Sequence, residues 1–250
     1  MRKVVVALCA LVLAGSLAYG EVFKLDNLSL NKARGIKTSD KSSGKVLWTS
    51  RTMSKKIVDK GQTFLYITDD GAGIFGKDKT YKTWHSDAYY KLAGNLAIPY
   101  DGKLVYKDKD GKVVMTINKD YYPADTKAVV TINSQPKEFV MRSDLIDKEL
   151  VGTALANYPF DNPRDFVFYM LTNEPTVYKM TLKYRGVEKI NGVDSYKLEM
   201  IPDLGALGIF GAFVPKTYFW YTVSTPHEFV RYEGLESGLG TPYIVMEATD

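Results

Sequence analysis

Few residues in this sequence have types and spacing that could support catalysis. The side chains of a hydrolytic triad occur together at His85, Ser86 and Asp87. Neighbouring residues of a strand point to opposite faces, so these three cannot face one another to relay a proton. Ser237 lies in Leu-Glu-Ser-Gly-Leu rather than in a Gly-x-Ser-x-Gly turn, and the only other histidine is His227. The pattern favours two surface histidines at strand ends over nucleophilic catalysis.

One stretch imitates a calcium-binding loop. Residues 108–111 read Asp-Lys-Asp-Gly, and counting back from the glycine puts Tyr106 at the first ligand position and Ile117 at the last. Calcium loops of this type need Asp and a bidentate Glu at those positions. We therefore predict a hairpin turn at 108–111.

Three carboxylates near the end of the chain could be imagined as an acid–base pair: Glu228, Glu233 and Glu236. Nothing in the sequence fixes their separation, and a solvated strand face explains them equally well. Two Gly-x-Gly stretches, at 71–73 and 238–240, precede no helix start and do not form a phosphate loop. The sequence predicts a protein that is not an enzyme and has no metal or cofactor.

The first twenty residues have the pattern of a secretory signal peptide. A basic start at Arg2 and Lys3 is followed by an apolar run over residues 4–13 and by Ala18-Tyr19-Gly20 before Glu21. We expect cleavage and a periplasmic location, and the alternative is an uncleaved N-terminal anchor. The remaining chain has no cysteine, because Cys9 lies in the apolar run. Disulfides, thiol nucleophiles and zinc–thiolate sites are therefore excluded after cleavage.

Charge gives no reason to expect nucleic acid as a partner. Loss of Arg2 and Lys3 takes Lys+Arg from 33 to 31 against 29 acidic residues, so the net charge falls from +4 to +2. The remaining charges are interspersed along the chain, without the basic patch that nucleic-acid binding requires.

The elements that would position any site are mainly strands. Residues 176–200 alternate polar and apolar side chains on both sides of Asn191-Gly192, which has the residue types of a two-residue hairpin turn. Shorter strands are predicted at 46–51, 62–68 and 80–85, among others. Two helices are predicted, one from a cap at Ser143 to about Asn157 and one from Asn162-Pro163 through residue 171. Residues 21–44 are expected to be an N-terminal extension that adds an edge strand, and 45–250 a single domain.

Two segments are more apolar than the local pattern requires: residues 166–171 and residues 204–214. The first is apolar nearly all round, and the second combines Gly205, Gly208 and Gly211 with no charge. For both segments the interpretations are a rim or lid around a hydrophobic cavity and ordinary core filling. For the second, membrane-surface contact by Ile209, Phe210 and Phe213 is a third.

The C-terminal third resembles the periplasmic lipoprotein-carrier superfamily typified by LolA and LolB. The resemblance rests on residues 178–200, on Thr217-Tyr-Phe-Trp-Tyr and on Pro226-His-Glu-Phe-Val-Arg-Tyr-Glu-Gly. It implies a mainly β (α+β) fold: a large bent antiparallel sheet forming an incomplete barrel, with two short helices as a lid over an acyl-chain site. The longer N-terminal half departs from the compact carriers.

These patterns lead to one main functional hypothesis and one alternative. The main hypothesis is an exported, non-enzymatic protein that binds a lipid, an acyl chain of a lipid-modified protein or another apolar ligand in the half-barrel, in lipoprotein or outer-membrane sorting. The alternative is a solidly packed envelope interaction or structural module with a protein partner. The predicted ligand-binding residues are Phe166, Phe168, Met170, Tyr178, Met180, Tyr196, Phe210, Phe213, Trp220 and Arg231.

Overall fold

A computed structural model describes residues 23–76, 78–203, 205, 215–238 and 240–249. In these residues the chain forms one α-helix, α1 (Lys148–Leu155), and fifteen strands. The strands are β1 (Ala33–Asp40), β2 (Val46–Asp59), β3 (Gln62–Phe75), β4 (Thr80–Ala93), β5 (Leu96–Asp108), β6 (Val113–Tyr122), β7 (Lys127–Ile132), β8 (Gln135–Val140), β9 (Leu145–Asp147), β10 (Phe166–Leu171), β11 (Val177–Ile190), β12 (Val193–Pro202), β13 (Thr217–Thr222), β14 (Phe229–Leu235) and β15 (Tyr243–Ala248).

All strands belong to a single sheet, as the predicted fold class requires. Its order is β8-β7-β6-β5-β4-β3-β2-β1-β15-β14-β13-β12-β11-β10-β9, so neighbours in sequence are mostly neighbours in the sheet. The strand pairs are antiparallel except for β9 and β10, which are parallel. The predicted strands at 46–51, 62–68 and 80–85 are the N-terminal parts of 14-residue strands.

The hairpin of β11 and β12 is confirmed. Asn191 and Gly192 both have positive φ, 50° and 85°, and Ile190 pairs with Val193 across the turn. This is the backbone conformation that Asn-Gly adopts in tight hairpins. A bulge between Tyr184 and Val187 interrupts the ladder and bends the strands.

The sheet curls so that distant strands share a core. The first core cluster joins β3 and β4 to β10–β13, through residues such as Leu65, Tyr90 and Leu198. The second core cluster joins β5–β7 to β9 and β10, through residues such as Ile117 and Leu171. The side of the sheet that carries both clusters is called the inner face below, and the opposite side the outer face.

The helix prediction is corrected in two places. The first predicted helix begins four residues later than expected, because residues 145–147 extend as β9 before α1 starts at Lys148. Asp147 precedes the helix instead of Ser143, and its side chain makes no capping hydrogen bond. The buried side of α1 joins the first core cluster, so the helix fills the concavity.

The second predicted helix is strand β10. Phe166 and Phe168 point inward while Val167 between them is exposed, and the whole strand pairs with β11. A short apolar run fits a buried strand or a buried helix equally well. Here the hydrogen-bonding edge of β11 was available for pairing, and the run formed a strand. The prediction of two lid helices is therefore wrong: the described residues contain one helix.

The expected edge strand is also corrected. β1 lies in the middle of the sheet, where it pairs with β2 on one side and with β15 on the other. The pairing with β15 brings the two ends of the described chain together. None of the described helices is long and apolar enough to cross a membrane.

Candidate functional site

Five of the predicted ligand-binding residues come together inside the curled sheet. Phe166, Phe168 and Met180 are buried in the first core cluster, and Met170 and Tyr196 pack against it. Tyr196 stacks on Phe160 with ring centroids 4.0 Å apart. Tyr178 lies at the rim and is 42% exposed.

The other predicted residues lie elsewhere. Trp220 is on the outer face, because its neighbours Phe219 and Tyr221 both point into the first core cluster. Its indole N–H donates to Glu188, and the Lys197 ammonium lies 5.0 Å from its ring. Arg231 pairs with Glu233 and Glu247 on the same face. Phe210 and Phe213 lie outside the described residues, as does most of the apolar segment 204–214.

The interior is occupied by the chain itself. Phe23 is buried, with ring centroids 5.4 Å from Phe166 and 5.9 Å from Phe168, and Leu25 is buried next to it. The segment is fixed by hydrogen bonds with Asn157, whose side-chain oxygen accepts from the Asn27 backbone N–H at 2.6 Å. Together with α1, residues 23–30 take the space that an apolar ligand would need.

Two small clefts lie beside this core. One, of about 30 Å³, lies between residues 23–25, the start of β5 and α1, with Pro99 and Leu150 among its lining. The other, of about 10 Å³, lies beside Gly102, Lys119 and Glu149. Pockets for drug-sized ligands have volumes of roughly 300–1,000 Å³. Each of these two clefts therefore has room for little more than a water molecule.

A buried ionic centre is the main site that the sequence did not predict. The Lys119 ammonium of β6 lies 2.6 Å from an Asp147 oxygen and 2.5 Å from a Glu149 oxygen. Asp147 also accepts a hydrogen bond from the Tyr90 hydroxyl at 3.1 Å. The buried Tyr121 hydroxyl has no hydrogen-bond partner of normal geometry.

The charges in this centre affect one another strongly. Burial raises the pKa of Asp147 to about 7, with the negative charge of Glu149 adding to the shift. Burial also disfavours the charged forms of Glu149 and Lys119, but their attraction outweighs it and lowers the pKa of Glu149 to about 2. The only sequence signal was one lysine at an inward position of β6, between Ile117 and Tyr121.

The residues considered for catalysis do not form a common site, because each has its own hydrogen-bond or ion-pair partners. His85 lies on the outer face between Asp70 and Asp87, at 2.7 and 3.0 Å, while Ser86 points to the inner face. The hydrogen bond with Asp70 raises the pKa of His85. Each of the three late carboxylates has its own partner: Arg34 for Glu228, Lys41 for Glu233 and the Gly76 backbone N–H for Glu236.

The 108–111 turn is a hairpin turn, as predicted. The Asp108 side chain accepts hydrogen bonds from the backbone N–H groups of Asp110 and Lys112, and Gly111 has a φ of 81°. Within the described residues, no group of three or more histidine, cysteine, aspartate or glutamate side chains is arranged to hold a metal ion.

The outer face of β3–β6 carries a group of tyrosines and unpaired carboxylates. Tyr66 and Tyr89 lie side by side with ring centroids 4.6 Å apart, and the Lys55 ammonium is 4.9 Å from the Tyr66 ring. Next to Tyr89, Asp101 faces Asp120 across β5 and β6. Neither carboxylate forms an ion pair with another described residue. Burial, and then the charge of Asp120, raise the pKa of Asp101.

Comparison with known proteins supports the fold. No protein-family model and no curated protein matches the chain. The chain is similar in structure to a β-barrel-like protein of domain of unknown function DUF1849 from Brucella abortus, at 8% sequence identity and a TM-score of 0.54. The match covers 87% of this chain and 95% of that one. The likeness shows a β-barrel-like fold, and it does not single out the lipoprotein-carrier superfamily.

Proposed function

We propose that this protein is an exported, non-enzymatic module of the cell envelope that binds a protein partner on its outer face. The observation that supports this function most is the filled interior. Phe23, Leu25 and α1 pack where a ligand would lie, and two clefts beside this core measure only about 10 and 30 Å³. A protein with such an interior can act through its surface without enclosing a ligand.

The outer face of β3–β6 is the surface best suited to a partner. This surface carries half-buried tyrosines, and tyrosine is enriched in protein interfaces. The facing carboxylates Asp101 and Asp120 form no ion pair with another described residue, and like charges placed opposite one another destabilise a sheet. A partner that presents lysine or arginine would supply the missing positive charge. The outer face of β11–β15 is different, because ion pairs such as Arg231–Glu247 already cover it.

Site-specific photo-crosslinking in the native envelope tests this surface. A crosslinker at Tyr89 should capture one protein, and capture should weaken in the Asp101→Asn/Asp120→Asn variant. A crosslinker at Lys183, which lies on the ion-paired half of the outer face, is the matched control. Equal capture from both positions, or no dependence on the two carboxylates, would contradict the proposal.

The apolar-ligand carrier remains the second candidate, because a chain segment fills the interior. Residues 23–30 run from the start of the described chain, and their hydrogen bonds, such as those with Asn157 and Asn95, would have to break for the segment to leave. If this segment left, the rings of Phe166 and Phe168 would line an apolar groove suited to an acyl chain, as a role in lipoprotein sorting would need.

Native mass spectrometry distinguishes the two candidates. The protein is purified from the envelope, its intact mass is measured, and bound material is extracted with organic solvent. A bare mass that persists after incubation with envelope lipids supports the packed module. A stoichiometric apolar molecule would overturn that proposal in favour of the carrier and would identify the ligand class.

A further inference from the structure

The two ends of the sheet share the second core cluster, but no backbone ladder joins the edge strands β8 and β9. β8 pairs only with β7, and β9 pairs only with β10. The contacts that cross this seam are made by side chains: the second core cluster, a hydrogen bond from the Lys137 ammonium to the Pro175 carbonyl, and the ionic centre of Lys119. Apart from the chain itself, which links β8 to β9 through residues 141–144, the closure of the barrel-like sheet therefore depends on these side-chain contacts.

We propose that the centre formed by Lys119, Asp147 and Glu149 is an ionic latch that holds β9 and α1 across the seam in mildly acidic conditions and loosens as the pH rises towards neutrality. Lys119 belongs to β6, near one end of the sheet, and Asp147 to β9, at the other end. Glu149 lies in the first turn of α1. One ammonium thus connects the wall of the sheet to both elements that follow the seam.

The number of charges in the centre makes it sensitive to protons. One ammonium balances one carboxylate, so ionising both Asp147 and Glu149 leaves a net negative charge in a buried site, and that is costly. A proton shared by the two carboxylates removes the excess charge.

The other charged groups around the centre do not supply a second buried cation, since Lys148, whose charge favours ionised Glu149, is exposed. Tyr90 and Tyr121 stay neutral because burial and then Asp147 raise their pKa values well above the usual range. Asp69 of β3 and Asp101 of β5 add negative charge nearby, and Lys148 is exposed on α1. Tyr106 of β5 also remains neutral, because burial raises its pKa to about 12.

The direction of the pH effect follows from Asp147. Its pKa is raised to about 7 in the closed form, whereas an exposed aspartate titrates near ~3.9. Between these values the closed form keeps a proton that the open form releases, so raising the pH favours opening and the effect levels off above about pH 7. Glu149 acts in the opposite direction only under strong acid, because its pKa is lowered to about 2.

Hydrogen exchange of the full protein tests the latch. Exchange of the amides of residues 145–155 is measured from about pH 5 to about pH 8 and corrected for the intrinsic pH dependence of exchange. We expect the opening equilibrium of this segment to rise at least about tenfold over that range. Amides in β11 and β12, away from the seam, should not share this change.

Asp147→Asn is the deciding variant. It keeps the shape of the side chain and leaves one carboxylate for one ammonium, so its opening equilibrium should not depend on pH. Asp144→Asn is the matched control, because Asp144 pairs with exposed Arg142 in the same segment and should leave the wild-type profile unchanged.

Two results would overturn the latch. One is an Asp147→Asn profile identical to that of the wild type. The other is a carboxyl-carbon NMR titration of the wild-type protein in which Asp147 ionises near its ordinary value, and this measurement does not depend on whether the variant folds.

Discussion

At the scale of single residues, Lys119 has the least ordinary environment. It is buried, and no other lysine or arginine among the described residues is. A buried ammonium is tolerated only where carboxylates and hydrogen bonds compensate it, and here Asp147 and Glu149 do so at 2.6 and 2.5 Å. Loss of Lys119 would leave these two buried carboxylates without a cation.

Lys119→Met should therefore destabilise the protein strongly. Removing one partner of a buried ion pair typically costs about 3–5 kcal/mol. The measurement is urea unfolding at neutral pH. Lys179→Met is the matched control, because Lys179 forms an exposed pair with Asp203 and should change stability by no more than about 1 kcal/mol. Similar losses of unfolding free energy in both variants would show that the buried centre contributes no more to stability than an exposed ion pair.

His85 provides a test on the outer face. Its hydrogen bond with Asp70 raises its pKa above the ordinary value, with the charge of Asp87 helping. A raised histidine pKa stabilises the folded state below the unfolded pKa, and this contribution is lost as the pH rises through the folded pKa. An NMR titration of the ring should show the raised value in the wild type and a lower one in Asp70→Asn. An unchanged His85 pKa in that variant would contradict the claim that Asp70 raises it.

At the scale of elements, β3 shows how a strand makes room for a large side chain. The Trp84 indole of β4 lies directly over Gly71, where an added Cβ would come within 2.0 Å of the ring. The indole N–H donates to Asp69 on the same strand at 2.5 Å. The ring therefore has a fixed position in the sheet, and that position leaves room only for a glycine at residue 71.

Gly71→Ala should destabilise the protein by about 1–3 kcal/mol, because overpacking forces a ring or the backbone to shift. Gly102→Ala is the control: its added Cβ would meet its nearest neighbours at 3.6 Å, an ordinary contact distance. Urea unfolding measures both. Combining Gly71→Ala with Trp84→Leu should recover part of the loss, and a purely additive double variant would contradict the proposed clash.

At the scale of the whole molecule, the filled interior depends on a segment from the start of the described chain. Phe23 packs between Phe166 of β10 and the rest of the first core cluster, although Phe23 and Phe166 are far apart in the sequence. The N-terminal segment thus contributes core to strands that follow more than a hundred residues later. Its contribution to stability can be measured without disturbing the sheet.

Phe23→Ala should lower the free energy of unfolding by about 3 kcal/mol, the lower end of the usual range for buried Phe→Ala changes. The thermal unfolding midpoint should fall accordingly. Lys24→Ala, at an exposed neighbouring position, is the control. Native mass spectrometry of the same variant should still show a bare protein if the interior is a packed core. An unchanged midpoint would mean that residues 23–30 are not part of the core.

The sequence by itself determined the class of fold and the local hairpins. The alternation on both sides of Asn191-Gly192 and the turn at 108–111 depend on neighbouring residues, and both form as predicted. It also identified Phe166, Phe168 and Met180 as apolar residues that belong together, since burial follows hydrophobicity.

Tertiary structure decided the rest. Whether residues 166–171 became a helix or a strand depended on the free ladder of β11, which is a contact between segments. The inward position of Lys119 was tolerable only because β9 and α1 bring two carboxylates to it from the opposite end of the sheet. The interior is filled because Phe23 lies next to β10, and no local pattern encodes a contact across that distance in sequence.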